Sequence, residues 1–208
     1  MLSIRDRIFT RLTILWEKLH RQDFSIIIPP SELGMDGDLV VHGSSSCDKY
    51  LIAVLKNINI SSRDSILDIG CAKGGAIKCM SRFPFSKIHG LELSSTLAKI
   101  ATSNFLKRDE ARVCIENINA IDFEGYSEFN IFYFYHPFPE QVMTKVLNNM
   151  KMQLDLEKEV LIIYNHPVCH DQVINSGFYK IKEFPDAWGN GIFLYSSLKP
   201  TKRLSVVS

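Results

Sequence analysis

Short apolar runs alternate with segments of helical spacing along this 208-residue chain, and that alternation predicts an α/β fold with a parallel sheet. Apolar runs at 65–69, 129–135 and 160–164 predict strands of a buried parallel sheet, and two more strands are predicted at 87–93 and 112–116. Helical spacing predicts helices at 49–57, from about Gly75, at 95–106 and at 140–154. Two further runs, 178–184 and 192–196, predict a closing antiparallel pair.

The first 46 residues differ in pattern from the rest. Residues 3–21 place Ile4, Ile8, Leu12, Leu15 and Leu19 at helical spacing among arginines and lysines, which predicts a basic amphipathic helix. We expect this helix to pack on the domain or to pair two subunits in a homodimer; adhesion to an anionic membrane surface is the alternative. Residues 23–46 predict a loop-rich connector with a small hairpin. The expected organisation is therefore a cap and connector (1–46), one domain (47–197) and a flexible tail (198–208).

Composition excludes few functions. The net charge of +1 gives no electrostatic footprint for bulk nucleic-acid binding. The five cysteines are scattered and odd in number, which predicts free thiols in a reducing compartment. The sequence has no apolar run near the roughly 18 residues that span a bilayer and no signal-peptide pattern. These features favour a soluble, cytoplasmic protein.

Small residues follow the first predicted strand immediately. Gly70, Ala72 and Gly74 form a loop in which the backbone can turn tightly and approach a ligand closely. The second strand brings an acid, Glu92, about twenty residues beyond that loop, where a carboxylate can accept hydrogen bonds from both hydroxyls of a ribose. Strand, loop, helix, strand and acid together predict a nucleoside-binding half-site.

Asp68 indicates which class of nucleoside ligand this half-site binds. The loop can be aligned with the GxGxxG dinucleotide fingerprint, but a carboxylate at the end of the strand would repel a pyrophosphate and would attract a cationic ligand. The run LDIGCAKG, residues 67–74, resembles the LD[IV]GCGxG motif of class I S-adenosylmethionine-dependent methyltransferases. The resemblance implies a Rossmann-like three-layer sandwich with a mostly parallel seven-stranded sheet of order 3-2-1-4-5-7-6. It also implies methyl transfer from S-adenosylmethionine. The net charge of +1 and the short chain favour a small molecule or a residue on a protein as the acceptor.

The same resemblance implies roles for individual residues. Asp68 would bind the amino group of the methionine moiety, and Glu92 would bind the ribose. The residues expected along the methionine moiety are Gly70, Cys71, Ala72 and Gly74, and those expected at the adenine are Leu93, Asn119 and Ala120. Related enzymes carry an acid where this chain has Asn119, whose amide oxygen can accept the same hydrogen bond; Asp122 is the substitute candidate. The connector would close over the cofactor.

The acceptor is expected beyond the fourth and fifth strands, since ligands bind at the carboxyl ends of parallel strands. His136 is the candidate general base, with Pro137 and Phe138 lining the pocket. Tyr135 or Tyr133 could contact the sulfonium through its ring, although both could equally be core residues. His166 and His170 are also expected to line the acceptor pocket; with Cys169 they fall short of the four ligands of a structural zinc site, so no metal is expected.

Three other functions remain open. The least favoured is aminopropyl transfer from the decarboxylated cofactor, which Asp68 and the lack of an obvious acidic polyamine pocket argue against. An NAD(P)-linked oxidoreductase would use the same half-site, but Asp68 and the closing antiparallel pair argue against it. A non-catalytic interaction module would keep the fold without the chemistry. Three departures from the family pattern keep that alternative open: Ala72 replaces a glycine, and Asn119 and Asn130 replace acids.

Overall fold

The computed structural model describes residues 4–25 and 47–200. Its helices are α1 (Ile4–Leu19), α2 (Lys49–Asn57), α3 (Gly75–Met80), α4 (Ser95–Leu106), α5 (Glu140–Gln153) and α6 (His170–Asn175). Its strands are β1 (Ser65–Ile69), β2 (Lys87–Glu92), β3 (Val113–Asn117), β4 (Ile131–Tyr135), β5 (Leu161–Asn165), β6 (Tyr179–Phe184) and β7 (Ile192–Ser196). The predicted connector hairpin and cofactor cap at 26–46, and the tail at 201–208, lie outside the described residues. Within the described ranges, no helix combines the length and apolarity needed to cross a bilayer.

The sheet has seven strands in the order β3-β2-β1-β4-β5-β7-β6. The pairs from β3 through to β5 are parallel, while β7 runs antiparallel to both of its neighbours, β5 and β6. The order and the closing hairpin predicted from the sequence are confirmed. Because five parallel strands end at one edge, the loops that follow them share a single rim.

Strand alternation gives the sheet two apolar faces. Leu67 and Ile69 face a core that includes Phe132, Phe134 and the buried side of α5. Ile66 faces the opposite core, formed with α2, α3 and Phe105 of α4. Asp68 lies two residues after Ile66, so its side chain is on the same face of the sheet. It is buried, with only 2% of its surface exposed. A carboxylate therefore occupies a position that the pattern of this face assigns to an apolar side chain.

Helix α6 was not predicted. The chain forms a helix from His170 to Asn175, in the stretch after β5 for which the pattern predicted no element. Six residues are less than two turns, too short for an apolar stripe to appear in the sequence. The strand boundaries at β3, β4 and β5 differ from the predicted ones by one or two residues, the usual uncertainty at element ends.

Polar contacts fasten the segment after α1 to the domain. Lys73, buried in the loop after β1, places its Nζ 2.7 Å from Oδ2 of Asp23. The buried amide of Asn104 in α4 accepts from the N–H of Asp23 (2.8 Å) and donates to the carbonyls of Asp23 (2.9 Å) and Lys73 (3.1 Å). Unpaired polar groups in such a buried place are costly, so these bonds hold the segment in place.

A disulfide contradicts the expectation of free thiols. Cys47, just before α2, is bonded to Cys79 in α3, with 5.3 Å between their Cα atoms and a sequence separation of 32 residues. Closing a loop of this length stabilises a fold by about 3–4 kcal/mol through the unfolded chain. Cys71, Cys114 and Cys169 are free. The thiol argument for a reducing compartment therefore fails for this pair, and the cytoplasmic location stays a prediction.

Candidate functional site

The loop after β1 is fixed by the neighbouring strand β2. The N–H groups of Gly70 and Cys71 both donate to the carbonyl of Leu91, at 3.0 and 2.9 Å. Gly70 has a φ of 81°, and a Cβ there would lie 2.8 Å from Cβ of Pro137 in the loop after β4. The close approach of these two loops therefore requires glycine at position 70.

The far end of the loop is equally crowded. Gly74 has a φ of 83°, and a Cβ there would lie 2.4 Å from the ring of Phe105. It precedes α3, which begins at Gly75 as predicted. Ala72 also has a positive φ, 47°, a conformation that costs a residue with a Cβ about 1 kcal/mol or more. The shape of this loop therefore includes a strained backbone conformation at Ala72.

Asp68 lies buried beneath the loop without a full set of partners. Its Oδ2 is shielded from solvent and has no hydrogen-bond partner among the described residues. Burial, followed by the negative charge of Glu92, raises the pKa of Asp68 well above the ordinary value. Both effects disfavour a second negative charge here. A cation placed at Oδ2 would relieve both, so the site is chemically suited to a positively charged ligand.

Glu92 is the last residue of β2, and its carboxylate links the loop after β1 to the loop after β2. Its Oε2 accepts from the N–H of Ala72 and its Oε1 from the N–H of Ser94, both at 2.8 Å. Burial raises the pKa of Glu92, and these backbone N–H groups lower it in part. Each carboxylate oxygen has more than one acceptor position, so both oxygens can still accept a ligand hydroxyl.

The residues expected at an adenine follow β2 and β3. Leu93 exposes 51% of its side chain beside Glu92, and Ala120 is buried. Asn119 accepts a hydrogen bond from the N–H of Ile121 at 3.1 Å, which caps a short 3-10 turn. Asp122 is the exposed last residue of that turn.

Sequence reasoning missed a positioning residue on this side of the rim. Asn117, the last residue of β3, donates through its amide to the carbonyls of Glu92 (2.8 Å) and Leu93 (2.9 Å). The contact ties the end of β3 to the end of β2. An asparagine that ends a strand gives no signal of such a contact in the sequence.

A second polar pair lies on the same face as Asp68. Tyr133 is fully buried in β4, and its hydroxyl accepts from the amide of Asn165, the last residue of β5, at 3.3 Å. Burial, and after it the charge of Asp68, raises the pKa of Tyr133 well above its ordinary value. Tyr135, on the same face, is half-buried at the rim. Asn165 was not singled out, although a polar residue ending an apolar strand is the available signal.

The structure brings His136 and His166 together. The two residues follow neighbouring strands, and their ring centroids are 5.0 Å apart at an angle of 64°. Both have a positive φ, 38° and 53°, and both are half-buried. Burial and the neighbouring His166 lower the pKa of His136. The pair presents imidazole groups beside Pro137, on the loop that touches Gly70.

The other residues expected to line an acceptor are placed differently. Phe138 packs against the α5 core. His170, the first residue of α6, bonds through Nδ1 to the hydroxyl of Tyr195 at 2.8 Å and packs against the ring of Phe193. The structure therefore does not pair His170 with the other two imidazoles. In the ranges described, no cluster of three or more histidine, cysteine or acidic side chains could hold a metal ion.

We predict that Asp68→Asn stabilises the ligand-free protein, increasingly so as pH rises. The folded pKa of Asp68 lies above its unfolded value, so ionisation opposes folding; the penalty is absent below the ordinary carboxyl pKa of about 4 and grows above it. The gain in the free energy of unfolding should be on the order of 1 kcal/mol near neutral pH and should shrink toward pH ~4. Urea denaturation across this range measures it, with the exposed Glu124→Gln as control. A gain that is constant with pH, or a loss near neutral pH, would contradict the prediction.

The similarity of this chain to known proteins lies in its fold. No family model matches the chain, and no curated protein sequence matches it significantly. Solved structures do match. A SAM-dependent methyltransferase from Aquifex aeolicus aligns over 81% of this chain and 97% of its own, with a TM-score of 0.57 and 13% identity.

Two further solved structures support the same fold. The ribosomal protein L11 methylase from Lactobacillus delbrueckii subsp. bulgaricus aligns over 80% of this chain and 84% of its own, with a TM-score of 0.59 and 12% identity. The mitomycin 7-O-methyltransferase MmcR aligns over 71% of this chain, with a TM-score of 0.57 and 13% identity, and the chain spans about half of its length (52%). The chain has the Rossmann-like fold of the class I S-adenosylmethionine-dependent methyltransferases.

Proposed function

We propose that the protein is an S-adenosylmethionine-dependent methyltransferase whose acceptor is a small molecule or a residue on a protein. The observation that carries the proposal is the buried Asp68 carboxylate, whose Oδ2 has no partner among the described residues, beneath a glycine-containing loop and beside Glu92. S-adenosylmethionine carries an ammonium and a sulfonium, so it supplies the positive charge that this pair of acids lacks.

The residues at the rim fit the successive parts of that cofactor. Asp68 would accept the ammonium, and the backbone of Gly70, Cys71, Ala72 and Gly74 would lie along the methionine moiety. Glu92 would accept the ribose hydroxyls through the acceptor positions that the N–H groups of Ala72 and Ser94 leave open. Leu93, Asn119 and Ala120 would contact the adenine. This assignment uses the strand ends where nucleosides bind in open α/β sheets.

The bound cofactor would supply an activated methyl group. The protein's task is then to exclude water and to hold the acceptor atom in line, and such alignment can contribute about 7–11 kcal/mol of the barrier. The rigid contact between the two loops, where Gly70 meets Pro137, fixes the acceptor side relative to the methionine side. Tyr135, half-buried at the rim, would narrow the space between the two sides.

His136 would act as general base for an acceptor that must lose a proton. Burial and the adjacent His166 lower its pKa, so its imidazole is neutral near neutral pH and can take a proton. His166 would hold the ring of His136 in place and keep it neutral. An acceptor with an ionisable hydroxyl or ammonium uses this base, whereas a thioether or an aromatic ring nitrogen has no need of it.

The first test of the proposal is calorimetric titration of the purified protein with S-adenosylmethionine, S-adenosylhomocysteine, NADH and NADPH. The first two should bind at micromolar concentration, and Asp68→Ala should weaken that binding by about tenfold or more, the value of one charge-assisted hydrogen bond. The exposed Glu124→Ala is the matched control and should bind like the wild type.

The titration separates the alternatives. Binding of NADH without S-adenosylmethionine would contradict the proposal in favour of an oxidoreductase. Absence of binding with all four compounds would contradict it in favour of a non-catalytic interaction module.

We predict that the imidazole of His136 titrates below the ordinary histidine value of about 6.5, and that His166→Asn raises its pKa. The substitution removes a neighbouring positive charge at low pH, and asparagine tolerates the positive φ of position 166. NMR titration of the six histidines, assigned with His136→Asn, measures both values. His20→Asn, at the exposed residue directly after α1, serves as control. A His136 midpoint at or above the ordinary value, or one unmoved by His166→Asn, would refute this role.

A further inference from the structure

Helix α1 turns its apolar side to the solvent. Leu12, Leu15, Trp16 and Leu19, which we call the α1 stripe, expose 59%, 65%, 46% and 79% of their surface. Their spacing of three and four residues puts them on one side of the helix. A contiguous exposed apolar patch of this kind marks an interaction site in soluble proteins.

The opposite side of α1 is anchored to the domain by a buried acid. Glu17 is only 2% exposed and accepts hydrogen bonds from the N–H groups of Phe24 (3.2 Å) and Ser25 (3.0 Å) and from Oγ of Ser25 (2.8 Å). Its Oε1 lies 3.7 Å from Nζ of Lys78 in α3. At 3.6 residues per turn, position 17 faces away from the middle of the stripe. The helix is therefore attached through its polar side, and the attachment holds the stripe outward.

The charges around the stripe are positive. Between residues 11 and 21, Arg11, Lys18 and Arg21 are exposed, and the one acid in that range is the buried Glu17. Arg11 and Lys18 are seven residues apart, so they border the same edge of the stripe. At the end of the helix Nζ of Lys107 donates to the carbonyl of Arg21, which adds a fourth cation to this surface.

The combination selects one class of partner. A second copy of the chain would bring the same cations against one another around its own stripe, which costs free energy. An anionic bilayer instead buries leucine and tryptophan side chains at the boundary of headgroups and acyl chains while its phosphates attract lysine and arginine. Indole suits this boundary because it has an apolar body and a polar N–H.

We propose that α1 docks this protein on an anionic lipid bilayer. The α1 stripe enters the interface, and Arg11, Lys18 and Arg21 contact the headgroups. The helix lies on the surface and does not span the membrane. The proposal is independent of methyl transfer, since it depends on the outward orientation of α1 and on its charge.

The test is sedimentation of the full chain with vesicles of phosphatidylcholine alone or mixed with phosphatidylglycerol. We expect binding to the mixed vesicles and at least about tenfold weaker binding to the neutral ones. Leu15→Gln with Leu19→Gln should reduce binding to the mixed vesicles about tenfold or more, because glutamine keeps helix propensity and removes apolar area. The matched control is Leu106→Gln with Met152→Gln, which alters two equally exposed apolar residues, 76% and 80% exposed, on other helices.

Two further measurements keep the test independent of folding defects. Arg11→Gln with Lys18→Gln leaves the stripe intact and should weaken binding to the mixed vesicles selectively. In a Trp188→Phe background, which leaves Trp16 as the single tryptophan of the two in the chain, the emission should shift to the blue on binding. Circular dichroism of each variant verifies the fold.

Three outcomes would overturn the proposal. The first is the absence of binding to mixed vesicles. The second is binding that is weakened neither by Leu15→Gln with Leu19→Gln nor by Arg11→Gln with Lys18→Gln. The third is a dimer in light scattering that Leu15→Gln with Leu19→Gln converts to monomer, without vesicle binding by the wild type. That result would assign the stripe to a second copy of the chain.

Discussion

The carboxylate of Asp68 is the group around which the rest of the site is arranged. It occupies an apolar face of the sheet, its Oδ2 lacks a partner among the described residues, and burial together with Glu92 raises its pKa. A fold selected for stability alone would place an aliphatic side chain there. The free-energy cost of burying this carboxylate falls at the rim where the parallel strands end, and the proposed cofactor would offset that cost there. The local loss of stability would be offset by affinity for the positive charge of the proposed cofactor.

The loop above Asp68 is held from several sides. Leu91 of β2 bonds to its first N–H groups, and Glu92 bonds to Ala72. Lys73 and Asn104 tie it to the segment after α1. The disulfide between Cys47 and Cys79 joins the start of α2 to the helix that follows the loop. These contacts fix the strained backbone of the loop before any ligand arrives, and such preorganisation lowers the cost of binding.

The sequence predicts the fold almost completely, because continuous apolar strands and helical spacing are local signals. The order of the strands followed from the resemblance carried by residues 67–74. The site was predictable where it is encoded by a motif, as with Asp68 and Glu92, but those roles stay predictions. What could not be predicted depends on distant contacts. The bond of Asn165 to Tyr133 and that of Asn117 to the end of β2 both join separate strands, and neither changes the local pattern.

Two predictions from the sequence were wrong or incomplete because each depends on contacts between distant segments of the chain. The cysteines at 47 and 79 have no diagnostic spacing, so their bond is visible only once α2 and α3 are packed together. The apolar positions of α1 predicted an amphipathic helix that packs on the domain or on a second subunit, with a membrane surface as the alternative. Glu17 turns the apolar side away from the domain, because a buried acid with several hydrogen-bond donors anchors the polar side to the domain instead. Hydrophobic periodicity predicts that a helix has an apolar face, but it does not predict whether that face packs on the domain or faces the solvent.

Binding of a cation by the buried carboxyl group of Asp68 is tested most directly through proton release from this group. Because its pKa is raised in the free protein, an ammonium bound against the carboxylate lowers that pKa, and binding releases a proton at pH values between the bound and the free pKa. The measurement is calorimetric titration with S-adenosylmethionine at several pH values from about 4 to 7, each in two buffers that differ in enthalpy of ionisation. The account predicts heats that differ between the buffers in the direction of proton release, and no such difference for Asp68→Asn. Tight binding with equal heats in both buffers, or proton release that persists in Asp68→Asn, would contradict it.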